Sequence, residues 1–169
     1  RQDEAEVLSL LIDIGTNGEI VLGSKDWMVC CSASAGPSFE GSGISCGMRA
    51  AKGAIEKVSI TGNFDVVCKT IGNAPPSGIC GSGLLDCLAN LVRSGVIDRT
   101  GNFQKGINTE RLRKTDNGYE FVLVSKDKTS TKRDVVITQA DIQNVIRSKA
   151  AIYSGISTLV ESMGLGMND

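Results

Sequence analysis

Residues 10–23 read Leu-Leu-Ile-Asp-Ile-Gly-Thr-Asn-Gly-Glu-Ile-Val-Leu-Gly. Two apolar runs flank a Gly/Thr/Asn turn, and a single carboxylate, Asp13, stands near the end of the first. The pattern predicts a β-hairpin with strands over Val7–Ile14 and Ile20–Gly23 and a turn at Thr16-Asn17-Gly18. A further strand-like run, Trp27–Ala33, follows closely, so residues 7–33 are expected to form an antiparallel meander.

The hairpin carries chemistry as well as shape. Gly15 and Gly18 allow backbone N–H groups to approach an anion without an intervening Cβ. Thr16 and Asn17 can donate to phosphate oxygens. Asp13 is positioned to hold a Mg²⁺ ion through water, because Mg²⁺ keeps most of its hydration shell, and it is the one catalytic candidate. The same residues also suit a plain Asn-Gly hairpin of type I′ with no ligand.

Two more glycine-rich segments have comparable potential. In Ser34–Ala51, Ser34 can cap a helix and Pro37 fits its first turn, whereas Gly41 and Gly43 break the middle. There Gly36 would let the chain lie against a diphosphate or nucleoside, and Glu40 could accept from ribose hydroxyls; close packing on a sheet is the alternative. In Gly78–Gly83, the N–H groups of Gly81, Ser82 and Gly83 open a helix whose dipole favours an anion. No Gly-Lys-Ser/Thr follows and G-x-G-x-x-G spacing is absent, so neither a P-loop nor a dinucleotide fingerprint is present. A close-packed helix start fits the same residues.

Elsewhere the periodicity predicts strands at Ala54–Ile60 and Phe64–Ile71 about a Thr61-Gly62-Asn63 turn. A helix is expected over Leu84–Ser94, ended by Gly95. Residues 98–134 are polar and read as an insertion or subdomain edge, with strand-like runs at Tyr119–Ser125 and Asp134–Ile137. Thr138-Gln139-Ala140-Asp141 resembles a capping box with Asp in the reciprocal position. It opens an amphipathic helix of about 26 residues, roughly 39 Å long, for which Gly164 is the expected C-terminal stop.

Composition narrows the chemistry. The 169 residues contain no His, so these residues offer no imidazole base, triad or imidazole metal ligand. The six Cys form no C-x-x-C pair and read as reduced, buried thiols rather than a metal or iron–sulfur site. Cys30 and Cys31 would face opposite sides of a strand, while Cys80 and Cys87 could share a helix face. A net charge of −1 gives no general attraction to nucleic acid or anionic membrane. No run is long enough to cross a bilayer, the acidic start is no signal peptide, and a cytoplasmic location is expected. The absence of an initiator Met reads as an excised piece of a larger protein.

The order strand–Asp-Ile-Gly-Thr–strand–strand and then a Gly-rich helix resembles the ribonuclease-H-like lobe of the actin, sugar-kinase and heat-shock-chaperone ATPases. The expected fold class is therefore α/β, a mixed sheet with flanking helices, forming part of the second half of an actin-like ATPase domain. Leu10–Gly23 ("LLIDIGTNGEIVLG"), Ser32–Ile55 ("SASAGPSFEGSGISCGMRAAKGAI"), Gly78–Asp86 ("GICGSGLLD") and Ile137–Glu161 resemble the C-terminal ATPase region of the ATP-dependent reductive activators of corrinoid proteins. That resemblance implies ATP and Mg²⁺ as cofactors and an iron–sulfur cluster in a domain outside this chain. It implies a corrinoid protein of a methyltransferase system as partner, with no nucleic acid or membrane partner and a homodimer left open. Asp13–Glu19 would then be the second phosphate motif, with residues 36–47 and 78–83 lining the same cleft. The parent would be the ATPase, and this fragment alone would be inactive. A non-catalytic actin-like module that binds a corrinoid or metalloprotein partner is the alternative; a sugar-type kinase is disfavoured for want of an acceptor-activating base.

Overall fold

The computed structural model describes residues 6–166, which fall into two units. One runs up to Pro37 and resumes at Arg147; the other is Ser38–Ile146.

In the first unit the apolar runs form the expected meander. Strands β1 (Ser9–Ile14), β2 (Gly18–Gly23) and β3 (Met28–Ala33) pair antiparallel in that order. Alternation places Ile20, Leu22 and Ala33 on one face, where they are buried against Leu159 and Val160. These two residues belong to the last turns of the long helix α2 (Gln139–Ser162). Gly155 allows the close approach: a Cβ there would stand 2.9 Å from Ile20 Cδ1 and 3.1 Å from Ala33 Cβ. β1 is apolar at four of its six positions, in a run that does not alternate, so Leu10, Leu11, Ile12 and Ile14 remain exposed on both faces of this edge strand.

The second unit holds two small sheets, one complete helix and the first turns of α2. β4 (Ala54–Ile60) is central to a mixed sheet, antiparallel to β5 (Val66–Thr70) and parallel to the two-residue β6 (Gly78–Ile79). Helix α1 (Gly81–Arg93) packs on β4. β6 ends too soon to satisfy the whole edge of β4, and α1 completes it. The Val58 N–H donates to Asp86 Oδ2 at 2.8 Å, and Asn90 Nδ2 donates to Val58 O at 3.0 Å. Asp86 and Asn90, one helical turn apart, thus do for β4 what a neighbouring strand would do. α1 ends at Gly95, whose φ is 71°. Val96 N bonds back to Leu91 O at 2.9 Å and Gly95 N to Val92 O at 3.1 Å, with both Val96 and Leu91 buried.

β7 (Leu112–Thr115), β8 (Gly118–Val124) and β9 (Val135–Thr138) form an antiparallel sheet. It adds Phe121, Leu123, Val135 and Ile137 to the core that Ile55, Val58, Leu84 and Leu91 build from β4 and α1. The capping box before α2 is formed as expected. Thr138 N donates to Asp141 Oδ2 at 2.9 Å and Asp141 N to Thr138 Oγ1 at 3.1 Å. Asp141 is 1% exposed, and its other oxygen accepts from Ser45 N at 2.7 Å and Ser45 Oγ at 3.1 Å. The capping carboxylate therefore also anchors the glycine-rich segment.

Three local expectations differ from the structure. The hairpin turn is Gly15-Thr16-Asn17, with Gly18 already paired to Ile14 in β2, so the Asn-Gly pair does not form a two-residue type I′ turn. Residues 34–51 form only one helical turn, Pro37–Glu40, because Gly41 and Gly43 take left-handed φ values of 85° and 74°. Cys80 precedes α1 instead of sharing its face with Cys87.

Candidate functional site

The hairpin tip of the first unit is open. Asp13, Thr16 and Asn17 are exposed, whereas Gly18 is buried beneath α2, where a Cβ would meet Ile152 Cγ1 at 3.1 Å. Gly15 N donates to Asn17 O at 2.9 Å, which tightens the bend. The bend is fastened to the second candidate segment: Gly36 N donates to Thr16 O at 2.8 Å. Gly36 has φ 78°, and a Cβ there would meet no atom within 4 Å, so its glycine answers a backbone requirement beside open space. Asp13, Gly15, Thr16, Asn17, Gly18 and Gly36 thus share one locality.

Asp13 lies directly opposite Glu19 across the β1–β2 ladder, with no ion pair to either among the described residues. Like charges facing each other across a ladder destabilise it unless a cation stands between them. Two exposed carboxylates beside the Thr16 hydroxyl and the Asn17 amide are a donor set that fits a hydrated Mg²⁺ on phosphate.

The remaining candidates lie in the second unit. Glu40, Gly81 and Ser82 line one recess of about 450 Å³ with Phe39, Arg49, Ala50 and Cys80. α1 starts without a side-chain cap. Gly81 brings two chain segments together, since a Cβ there would lie 2.1 Å from Phe39 O. Gly83 is not on the recess wall: its Cβ would lie 2.1 Å from Ile55 O, so its missing side chain lets α1 settle on β4. Arg49 was not singled out from sequence. Its one signal is that it is the only cation between Gly36 and Ala51.

The thiols fit structural roles. Burial pushes Cys46 up, raises Cys68 to about 11 and raises Cys87 further, so these three remain protonated at neutral pH. Cys30 departs from the expected burial. Cys31 takes the side of β3 packed on α2, where its Sγ lies 3.7 Å from Gly155 O, and strand alternation turns Cys30 outward. No helix among the described residues is long and apolar enough to cross a membrane.

An antiparallel meander with an Asp-bearing hairpin, and a mixed sheet with its helix, are elements of the α/β actin-like ATPase class. The chain belongs to the family described as the C-terminal domain of RACo, the ASKHA domain, whose family model matches residues 7–169. It is 38% identical over 169 residues to the corrinoid activation enzyme RamQ of Eubacterium limosum, an alignment covering 96% of this chain and 28% of that protein. It is 28% identical over 182 residues to the [Co(II) methylated amine-specific corrinoid protein] reductase of Methanosarcina barkeri, covering 95% and 30% respectively. A solved structure described as reductive activator for corrinoid,iron-sulfur protein superposes with a TM-score of 0.94 at 52% identity, over 99% of this chain and 27% of that one. The chain therefore spans less than a third of the length of each of these relatives.

Proposed function

We propose that these residues form the nucleotide-binding part of an ATP-dependent reductive activator of corrinoid proteins. In the complete protein, ATP binding and hydrolysis would be coupled to reduction of a Co(II) corrinoid to Co(I), with the electron arriving from an iron–sulfur domain outside this chain. The partner is a corrinoid protein of a methyltransferase system. Within this reading, residues 1–169 belong to the second half of one actin-like ATPase domain, with 98–134 at a subdomain edge. The names of the relatives support the activity class, and the observation that carries the site is the bond from Gly36 to Thr16. It holds two glycine segments together beside an open Asp13.

Asp13 would orient a Mg²⁺-bound water, with Glu19 facing it. Gly15, Gly18, Thr16, Asn17 and Gly36 would cradle phosphate. In the second unit, the recess of Glu40, Gly81 and Ser82 would offer nucleoside contacts of its own, and Gly83 would support its wall through packing. Bound Mg²⁺ would supply neutralisation of phosphate charge. Nucleotide binding would shift the balance between two conformations of the complete protein, and that shift would drive partner docking and release.

ATP turnover by the complete protein tests this reading. Asp13→Asn is expected to lower turnover by about 100-fold or more, the scale of a lost acid–base or water-positioning group. Unchanged turnover would remove Asp13 from the mechanism. Calorimetry with ATP-Mg that shows no heat, while the corrinoid protein still binds, would replace the ATPase by a non-catalytic docking module.

A further inference from the structure

Ser125–Asp134, which joins β8 to β9, is longer than antiparallel neighbours require, since two to five residues suffice for such a turn. The surplus is ordered. A helical turn at Lys126–Lys128 opens it, and Lys126 N donates to Asp134 Oδ1 at 2.6 Å. Thr129 is 3% exposed, and its hydroxyl lies 2.8 Å from Arg133 O and 3.0 Å from Lys126 O. Ser130 N donates to Pro76 O at 2.9 Å, which fastens the outer part of the loop to a neighbouring segment of the same unit. Lys132 is held at a φ of 57°, a conformation that L-residues other than Gly adopt rarely.

This pinned loop displays four exposed cations, Lys126, Lys128, Lys132 and Arg133, against two acids, the exposed Asp127 and the half-buried Asp134, whose carboxylate is paired with Arg113. None of the four forms an ion pair among the described residues. The whole chain carries a net charge of −1, so the excess of cations over acids in this loop is not a property of the chain as a whole. A recess of about 750 Å³ opens beside it, its wall charge-balanced by Arg111, Arg113 and Lys128 against Asp65, Glu110 and Asp134, so the excess positive charge belongs to the loop's outer side chains, and none of the candidate nucleotide residues lines that recess. A fixed loop presents its charges without the ordering cost that a mobile one pays on association. Concentrated charge of one sign steers an oppositely charged partner into register.

From this we infer that Ser125–Asp134 is a docking element for an acidic surface of a protein partner. The loop offers no aromatic side chain on which single-stranded bases could stack, and the chain's net charge of −1 gives no general attraction to a duplex, so a protein is favoured over a nucleic acid. In the proposed function that partner is the corrinoid protein, and naming it so rests on that reading.

The test uses the complete protein and the variant Lys126→Gln/Lys128→Gln/Lys132→Gln/Arg133→Gln. Association rates are measured at low and high salt with a purified Co(II) corrinoid protein, a polyglutamate peptide and a short DNA duplex as probes. The variant should associate with the corrinoid protein about 10-fold or more slowly at low salt and with a weaker salt dependence. Partner-free ATP turnover and melting temperature should be unchanged, because the substituted side chains are exposed. If wild type ignores the corrinoid protein yet binds polyglutamate through these residues, the docking role stands and the corrinoid reading fails. Equal association of variant and wild type with the corrinoid protein overturns the docking role and leaves the activator reading intact. Loop-dependent preference for the duplex over both acidic polypeptides, or no binding of any probe, also overturns it.

Discussion

Gly83 and Gly36 are both glycines of the predicted site, yet they answer different constraints. At Gly83 a Cβ would lie 2.1 Å from the Ile55 carbonyl oxygen, a backbone atom that cannot rotate away. Helix propensity alone favours Ala over Gly by about 1 kcal/mol. Overpacking costs about 1–3 kcal/mol, and a clash with strand backbone belongs at the upper end. Gly83→Ala should therefore destabilise the complete protein by about 2 kcal/mol in urea unfolding, against the propensity trend. A neutral or stabilising effect would show that α1 shifts on β4 without cost. At Gly36 no atom stands within 4 Å of a Cβ, and the only penalty is the φ of 78°. The one-letter pattern Gly-x-Gly in residues 81–83 cannot distinguish close packing from ligand approach, because both demand a missing Cβ. Arg49 escaped notice for a related reason: its meaning comes from sharing a wall with Gly81 and Ser82, more than 30 positions away.

At the scale of elements, strong periodicity was a good guide and short pairing was not. β2, β3, β4 and both helices follow from runs whose apolar spacing matches their burial, β1 follows from an apolar run that stays exposed, and the α2 cap follows from Thr138 and Asp141. β6 has two residues and β7 reads Leu-Arg-Lys-Thr, so neither carries a hydrophobic period; each exists because a neighbouring strand supplies its ladder. The turn at Gly15-Thr16-Asn17 was displaced by one residue because Gly18 is needed under Ile152 in the sheet. The capping box does more than begin a helix. Asp141 accepts from Thr138 N, Ser45 N and Ser45 Oγ while 1% exposed. Asp141→Ala would strand two backbone donors, so a loss of about 3 kcal/mol is expected, larger than the roughly 1 kcal/mol of an ordinary cap. Thr138→Val should show that smaller value. Equal losses for the two variants would mean that Ser45 finds another acceptor and that the segment does not depend on the cap.

The whole molecule contains 19 acids, 18 bases and no His, so this part of the protein has no imidazole to titrate between about pH 5 and pH 8. Its pH response falls to carboxylates whose protons the native state repels. The Lys126 N–H, and then the Arg113 guanidinium at 2.9 Å, hold Asp134 below the usual carboxylate range. The Thr100 hydroxyl and the Asn102 N–H do the same for Asp98. Each carboxyl binds a proton more tightly in the unfolded chain, near pH 3.9, than in the folded one. The stability they contribute is therefore complete above that value and disappears as pH falls through the lower folded value. Asp134→Asn in the complete protein should lower the urea midpoint at neutral pH. The gap from wild type should stay constant down to about pH 5 and close as acid protonates the native carboxyl. Added salt should narrow the gap only in part, because it screens the exposed Arg113 pair but not the hydrogen bond from Lys126 N. A gap that persists unchanged to about pH 2 would mean that Asp134 acts by shape and not by charge, and the anchoring of the basic loop would then rest on Thr129 and on the Ser130–Pro76 bond.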